Sequence, residues 1–392
     1  MTDNPYLQFL RYSLDKVQEL PESAKSLDWK MMMAWAERQA IVGIIFGGIQ
    51  KADKALNIPF EILMKWIGNA NLIENRNKLL NKRCGEVVEY FKEKGFDCCI
   101  LKGQGNAALY DVRCKTEDGR CLSLLRTPGD IDVWVIPKSD VRCKKEDVKE
   151  VIQFVKEHNP KGRAEYHHID YGDFYGVEVE AHYRPTFMNN LITNWRLQQW
   201  MKEHSDEQIR NQVLLPGQEG LISVPTWEFN VVFQLSHIYR HVIQEGVGLR
   251  QIIDYYYLLR NAENVKIIEL KNVKETLKYL NLYKIAGAMM WVLGFLVHGA
   301  GFTVNGFTKD EWMICEPDER RGRVLLEEIM KGGNFGHYDA ENQKANNAIK
   351  KNLQRIKRDM RMMRYFPSEC LWEPVFRVYH FFWRQFHRGL IA

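Results

Sequence analysis

The segment from Gly129 to Val135 constrains the fold most, because its acidic and apolar residues alternate with the period of a β-strand. One face of that strand would be apolar. The other would carry Asp130 and Asp132, about 7 Å apart along the strand. Two carboxylates so close are unfavourable unless a positive group lies between them. Because Mg²⁺ prefers carboxylate oxygens, the segment predicts a divalent metal site. The alternatives are a solvated surface strand and acids that cap a turn after Pro128-Gly129.

A second segment, Val177 to His182, alternates in the same way. Its predicted polar face carries Glu178, Glu180 and His182. If this strand lies beside the first, a third carboxylate joins the pair. Three carboxylates on neighbouring strands can hold two metal ions, an arrangement suited to phosphoryl or nucleotidyl transfer. Either glutamate could be the third ligand, since a slip in register would exchange them.

Four motifs follow one another along the chain. They are Leu101-Lys102-Gly103, Tyr110, Arg126-Thr127-Pro128-Gly129-Asp130-Ile131-Asp132 and Leu249-Arg250-Gln251-Ile252-Ile253-Asp254. Their combination resembles the DNA polymerase β-type nucleotidyltransferase superfamily. It is most similar to an uncharacterised bacterial nucleotidyltransferase family with Leu-Lys-Gly and Arg-x-x-Gly-Asp-Ile-Asp motifs. The resemblance is specific over residues 97–184 and looser over 227–260.

The resemblance implies a Mg²⁺-dependent nucleotidyltransferase that moves a nucleoside monophosphate from an NTP to a hydroxyl acceptor. Asp130, Asp132 and Glu180 would be the catalytic residues and the ligands of two Mg²⁺ ions. Glu180 is preferred to Glu178 because the family pattern places an acid two residues before a histidine. The acceptor stays open between a small molecule, a sugar, an RNA end and a protein.

Residues around the first motif and before the acidic strand would bind the nucleotide. They are Lys102, Gly103, Gln104, Arg126 and Gly129. A glycine turn lets backbone N–H groups approach a phosphate, and a guanidinium binds phosphate oxygens through two hydrogen bonds. Arg126 is equally well explained by a structural salt bridge. Gln104 departs from the small residue usual in the superfamily, although Gly105 could supply the close approach. That departure supports an alternative function, a binding or regulatory module with weak or no catalysis.

The end of the second strand and the later helices supply candidates for the acceptor side. They are His182 on the strand, and His237, His241, Arg250 and Asp254 on the helices. His237 and His241 are four residues apart and would share a helix face, as would Arg250 and Asp254. Packed histidines and an ion pair within the helix are the simpler alternatives.

The chain as a whole is predicted to be an α+β protein with a small mixed sheet. Residues 1–95 and 186–392 show helical periodicity. Residues 96–185 alternate strands and helices and would form the nucleotidyltransferase core that the resemblance implies. Within the core, strands are predicted at 97–102, 130–136, 164–171 and 175–183. A turn at Gly172-Asp173 would join the last two.

Composition sets broad limits on function. The net charge of +5 is small for 392 residues but suits an anionic substrate. The N-terminus has no secretory pattern and no apolar run is long enough to span a membrane, so a cytoplasmic protein is expected.

The aromatic and basic segment 365–388 is expected to pack on the body of the protein. Binding to a membrane surface or to nucleic acid are its alternatives.

Overall fold

The computed structural model describes residues 4–14, 19–111, 121–138, 145–218, 220–261, 267–302, 312–333 and 348–391. The chain forms two compact units, and each draws on separated segments. The first, here called the helical unit, comprises residues 1–77, 109–127 and 241–361. The second, the sheet unit, comprises residues 78–108, 128–240 and 362–392.

Helices make up most of the described chain. They are α1 (Pro5–Leu14), α2 (Trp29–Gln39), α3 (Val42–Ala52), α4 (Phe60–Glu93), α5 (Ala107–Asp111), α6 (Lys145–His158), α7 (Leu191–Glu203), α8 (Ser205–Arg210), α9 (Trp227–Gln244), α10 (Leu249–Arg260), α11 (Ile267–Tyr279), α12 (Tyr283–His298), α13 (Glu319–Gly332), α14 (Ala348–Met363) and α15 (Pro367–Ile391). The strands are β1 (Phe96–Ile100), β2 (Ile131–Pro137), β3 (His168–Asp173), β4 (Glu178–His182), β5 (Gln212–Val213) and β6 (Ile222–Ser223).

The sheet unit is built on a four-stranded mixed sheet with the order β1-β2-β4-β3. Strand β2 pairs antiparallel with β1 and parallel with β4, and β3 pairs antiparallel with β4. Apolar residues of the strands, such as Val133 and Ala181, pack with Val151 of α6 and Phe91 of α4 in one core. The predicted α+β class, with a small mixed sheet flanked by helices, is confirmed.

The predicted turn at Gly172-Asp173 is wrong, because both residues belong to β3. Gly172 has φ of +92° and lies where the pairing of β3 with β4 shifts register, which is a β-bulge. The chain reverses after it, where Phe174 N–H donates to the carbonyl of Val177 at 2.7 Å. Gly176 has φ of +87° in that turn. The positive φ of Gly172 thus serves a bulge, which the sequence alone cannot distinguish from a turn.

Strand β2 is covered on both faces. Asp132 is 2% exposed and Trp134 is 5% exposed, although both lie on the face predicted to be polar. The Trp134 ring stacks on Phe229 of α9, with centroids 5.7 Å apart and planes at 18°. The solvated surface strand considered as an alternative is therefore wrong. Asp132 lies in a largely dry environment, where charges interact strongly.

The C-terminal helix α15 packs on the sheet unit through part of its aromatic surface. Phe376 and Trp383 are buried in its core, and Phe376 stacks on Phe187 with centroids 4.7 Å apart. Phe382 and Phe386 are exposed. Packing on the body of the protein therefore accounts for one side of this helix. Within the described ranges, no helix combines the length and the apolar character needed to cross a membrane.

The helical unit contains α1, α2 and α3, with α10 to α13 from the later part of the chain. A buried amide links its early and late segments, since the Gln39 side chain accepts from the N–H of Leu249 at 3.0 Å. Gly43 of α3 lies so close to Leu125 that a Cβ there would come within 1.9 Å of the Leu125 carbonyl oxygen. This contact requires glycine at position 43.

Candidate metal centre

The parallel register of β2 and β4 brings two acids together. Asp132 lies opposite Glu180, and Trp134 lies opposite His182. Glu178 pairs with Asp173 at the other end of β4 and is exposed. The pairing of the strands therefore brings Glu180, rather than Glu178, next to Asp132.

His182 lies between the two acids. Its Nε2 is 2.8 Å from Asp132 Oδ1 and 3.3 Å from Glu180 Oε2, and its side chain is fully buried. One ligand atom from each of Asp132, Glu180 and His182 lies within 4.8 Å of the other two. Two carboxylates and an imidazole at this spacing fit a divalent cation. The sequence placed His182 with the acceptor residues, whereas its contacts are with the carboxylates.

Lys102 directs its ammonium group into the same cluster. It follows β1, where the Leu101 N–H donates to the Asp132 carbonyl at 2.9 Å, and its Nζ lies 3.0 Å from Asp132 Oδ1. Burial disfavours its charge, but the carboxylates of Asp132, Asp130 and Glu180 more than compensate, so the pKa of Lys102 is raised. A charged lysine beside the acids is suited to contact phosphate.

Asp132 of β2 and Asp130, which immediately precedes β2, are in different electrostatic states. Repulsion by Asp132, followed by burial, raises the pKa of Asp130 to about 6. Burial would also raise the pKa of Asp132, but Lys102 and the hydrogen bond from His182 outweigh it and hold that pKa well below its usual range. The negative charge on Asp130 is thus poorly compensated by the protein. A bound cation would relieve this repulsion, and in this respect too the residues fit a metal ion.

The glycine turn lies directly against the acidic strand. Gly103 has φ of +65°, and a Cβ there would lie 3.7 Å from the carbonyl oxygen of Asp130. A Cβ on Gly105 would come within 2.5 Å of the Ile100 carbonyl oxygen, so this position also requires glycine. The Gln104 side chain is buried and donates to Asn81 Oδ1 at 2.6 Å. It points into the protein, so its bulk does not occupy the surface of the turn.

Two neighbouring histidines were missed by the sequence interpretation. His168 Nδ1 lies 3.7 Å from Glu180 Oε2, and His168 is the register partner of His182. His167 is buried, and burial followed by the charge on Arg240 lowers its pKa well below the usual value. The signal was present in the sequence as two adjacent histidines in a predicted strand. Only the pairing of β3 with β4 shows that His168 lies beside His182 and Glu180.

Arg126 and Asp254 form a buried ion pair within the helical unit. Arg126 Nε and Nη2 donate to the two carboxylate oxygens of Asp254 at 2.8 and 2.7 Å. The hydroxyl of Tyr110 donates to the same carboxylate at 2.5 Å. Burial, and then the charge of Asp254, raise the pKa of Tyr110 well above its usual value. The salt bridge considered for Arg126 is present, and Asp254 pairs with this distant arginine rather than along its own helix.

The remaining predicted residues lie in other surroundings. Arg250 donates to the carbonyl of Thr127 at 3.2 Å in the helical unit. His241 Nδ1 lies 2.9 Å from Glu245 Oε2. His237 is buried in the sheet unit, where its ring lies 6.0 Å from that of Phe233. Gly129 is exposed immediately before Asp130.

Most of the chain is similar to a known protein family. A family model described as an uncharacterised nucleotidyltransferase matches residues 25–297, well over half of the chain. No curated protein and no solved structure has a significant match to the chain. The match includes β1 with its glycine turn, the acidic strand β2, β4 with Glu180, and the segment with Asp254. This chain belongs to that uncharacterised nucleotidyltransferase family.

Proposed function

We propose that this protein is a Mg²⁺-dependent enzyme that transfers a nucleoside monophosphate from an NTP to a hydroxyl acceptor. The placement of Asp132 opposite Glu180, with Lys102 and His182 in contact with Asp132, carries this proposal. Membership of a nucleotidyltransferase family supports it independently.

Asp130, Asp132 and Glu180 would hold the metal, with two ions expected. Bound Mg²⁺ would neutralise charge on the attacking and leaving oxygens of the reaction. Lys102 would contact the triphosphate, and the backbone of the turn at Gly103 would lie beside it. His182 would act as a positioning residue, because its Nε2 contacts both Asp132 and Glu180.

The reaction is an in-line displacement at the α-phosphorus. The acceptor oxygen forms a bond to that phosphorus, and the bond from the phosphorus to the oxygen that bridges to the β-phosphate breaks. Pyrophosphate leaves with the bonding electrons. Glu180, which is partly exposed, would accept the proton of the acceptor hydroxyl.

Acceptor residues are proposed on the later helices, at His237, His241, Arg250 and Asp254. Both carboxylate oxygens of Asp254 accept hydrogen bonds from Arg126. The role of Asp254 would therefore be to hold the helix that carries Arg250. Substitution of Arg250 by Ala should then leave the affinity for Mg²⁺–NTP nearly unchanged and weaken transfer to the acceptor. An equal loss in both measurements would contradict this assignment.

The function is tested by incubating the protein with Mg²⁺, a cell extract and each NTP labelled at the α-phosphate. The expected result is one labelled acceptor that forms with the wild type and does not form with Asp132→Asn. A binding module without catalysis would label nothing, and NTP would stabilise it against heat equally with and without Mg²⁺. That pair of results would overturn the proposal.

A further inference from the structure

A cluster of three imidazoles lies beside the acidic residues. His168 begins β3, His167 immediately precedes it, and His182 ends β4. The ring centroids of His168 and His167 are 5.2 and 5.3 Å from that of His182, and 4.3 Å from each other. One ligand atom from each of the three histidines lies within 4.8 Å of the other two.

The spacing of two nitrogens matches that of ligands on one metal ion. His167 Nε2 and His168 Nδ1 are 3.1 Å apart. Two imidazole nitrogens on a tetrahedral Zn²⁺ are separated by roughly 3.3 Å, from Zn–N bonds of about 2.0–2.1 Å. The two nitrogens are in hydrogen-bond contact, which a bound ion would replace.

The other ring nitrogen of His167, Nδ1, is buried and unsatisfied within the described part of the chain. His167 is 6% exposed, and its Nδ1 has no hydrogen-bond partner among the residues that the structure describes. Buried imidazole nitrogens are normally bonded. In a metal site, one ring nitrogen binds the ion and the other is left for a second contact.

The donor types favour a particular class of metal. Imidazole nitrogen binds Zn²⁺ and related transition metals well, whereas Mg²⁺ is bound mainly by oxygen. Negative charge is also near, since Glu180 Oε2 lies 3.7 Å from His168 Nδ1. The cluster is thus chemically distinct from the carboxylate set of Asp130 and Asp132.

The geometry points to a second cation site, formed by His167, His168 and His182, that binds Zn²⁺ or a similar transition metal in preference to Mg²⁺. His182 belongs both to this trio and to the group with Asp132 and Glu180. An ion held by the trio therefore competes for the imidazole that contacts both acids. Zn²⁺ occupancy should disturb the carboxylates that the proposed transfer reaction uses, and so inhibit it.

The site is tested by binding of metal to the full chain after treatment with a chelator, without nucleotide. Co²⁺ is the probe, because its visible absorption reports nitrogen ligands, and Zn²⁺ should displace it. In a large excess of Mg²⁺, which should occupy the carboxylates, we expect one Co²⁺ per chain with a nitrogen-ligand spectrum. His167→Gln should weaken Co²⁺ binding by about 10-fold or more, since a metal ligand is lost.

Two controls keep the result independent of transfer activity. His158→Gln changes an exposed histidine of the same unit and should leave Co²⁺ binding unchanged. Asp132→Asn should abolish transfer but retain the Co²⁺ spectrum, so the two proposals can fail separately. Unchanged Co²⁺ affinity in a folded His167→Gln variant, or loss of the spectrum in Asp132→Asn alone, would overturn the imidazole site. If His167→Gln does not fold, the same criteria apply to His168→Gln.

Discussion

Arg126 binds both carboxylate oxygens of Asp254, a residue 128 positions away, at 2.8 and 2.7 Å. Both residues are buried. The sequence motifs made Arg126 a candidate for nucleotide binding and Asp254 a candidate for the acceptor side. In the structure the two side chains form an ion pair with each other. Removal of one partner leaves a buried charge without its counterion, which typically costs about 3–5 kcal/mol.

Arg126→Ala should therefore lower the free energy of unfolding of the protein by about 3–5 kcal/mol in denaturant titrations. The exposed ion pair of Arg323 with Glu319 provides a control, and Arg323→Ala should cost less than about 1 kcal/mol. If Arg126 instead served mainly to bind phosphate, Arg126→Ala would weaken NTP binding with little loss of stability.

Asp130 should make the metal-free protein less stable as pH rises. Its folded pKa of about 6 exceeds the ordinary value of 3.8, so the folded state binds this proton more tightly than the unfolded state. The stability due to the protonated form is present below about pH 4 and is lost as pH rises towards 6. Asp130→Asn should then be more stable than wild type above pH 6 in EDTA, on the order of 1–3 kcal/mol.

Addition of Mg²⁺ should reduce that difference, because the cation compensates the carboxylate of the wild type and not the amide. Urea titrations of both proteins between pH 4 and 8 provide the measurement. A difference that does not change with pH would show that Asp130 lacks the repulsion described here.

Asp132→Asn should have the opposite effect on stability. The pKa of Asp132 is depressed, so its ionised form stabilises the fold above the ordinary pKa, and this stability is lost only as pH falls. The amide would leave the ammonium of Lys102, 3.0 Å away, without its closest counterion. We expect a lower melting temperature at pH 7 together with loss of transfer. An Asp132→Asn variant more stable than wild type would contradict this electrostatic assignment.

Glu180 and Glu178 offer a matched pair on one strand. Glu180→Gln should reduce the transfer rate on the order of 100-fold or more, as expected for a group that moves a proton or holds the metal. Glu178→Gln should have almost no effect, because Glu178 is exposed at the far end of β4. Rates measured with saturating NTP and acceptor separate the two. Equal losses would show that the register does not determine the third acid.

Gln104 should matter for stability and not for nucleotide affinity. Gln104→Leu removes the donor to Asn81 Oδ1 and leaves a buried polar atom unsatisfied, at a cost of about 1–3 kcal/mol. The dissociation constant for Mg²⁺–NTP should stay within about 2-fold of wild type when the variant is folded, since such a change is under 0.5 kcal/mol. A large change in affinity would place the side chain of Gln104 at the phosphates after all.

Local patterns located the four strands of the main sheet to within a few residues, but not the short strands β5 and β6, which lie in a region predicted to be helical. The alternation from residue 129 to 135 predicts a strand with Asp130 and Asp132, and β2 spans Ile131–Pro137. The mixed sheet was implied by the family resemblance, whereas the order of helices, then strands, then helices followed from periodicity. Such features depend on a few neighbouring residues, because side chains repeat every two positions in a strand and every 3.6 in a helix.

Only the tertiary structure decided which side chains meet. The register that sets Glu180 opposite Asp132 and the ion pair between Arg126 and Asp254 both join residues far apart in sequence. The same is true of the contact of His182 with Asp132. Strand register and long-range ion pairs are determined by the packing of whole faces, so a single sequence leaves several pairings equally compatible with its local pattern.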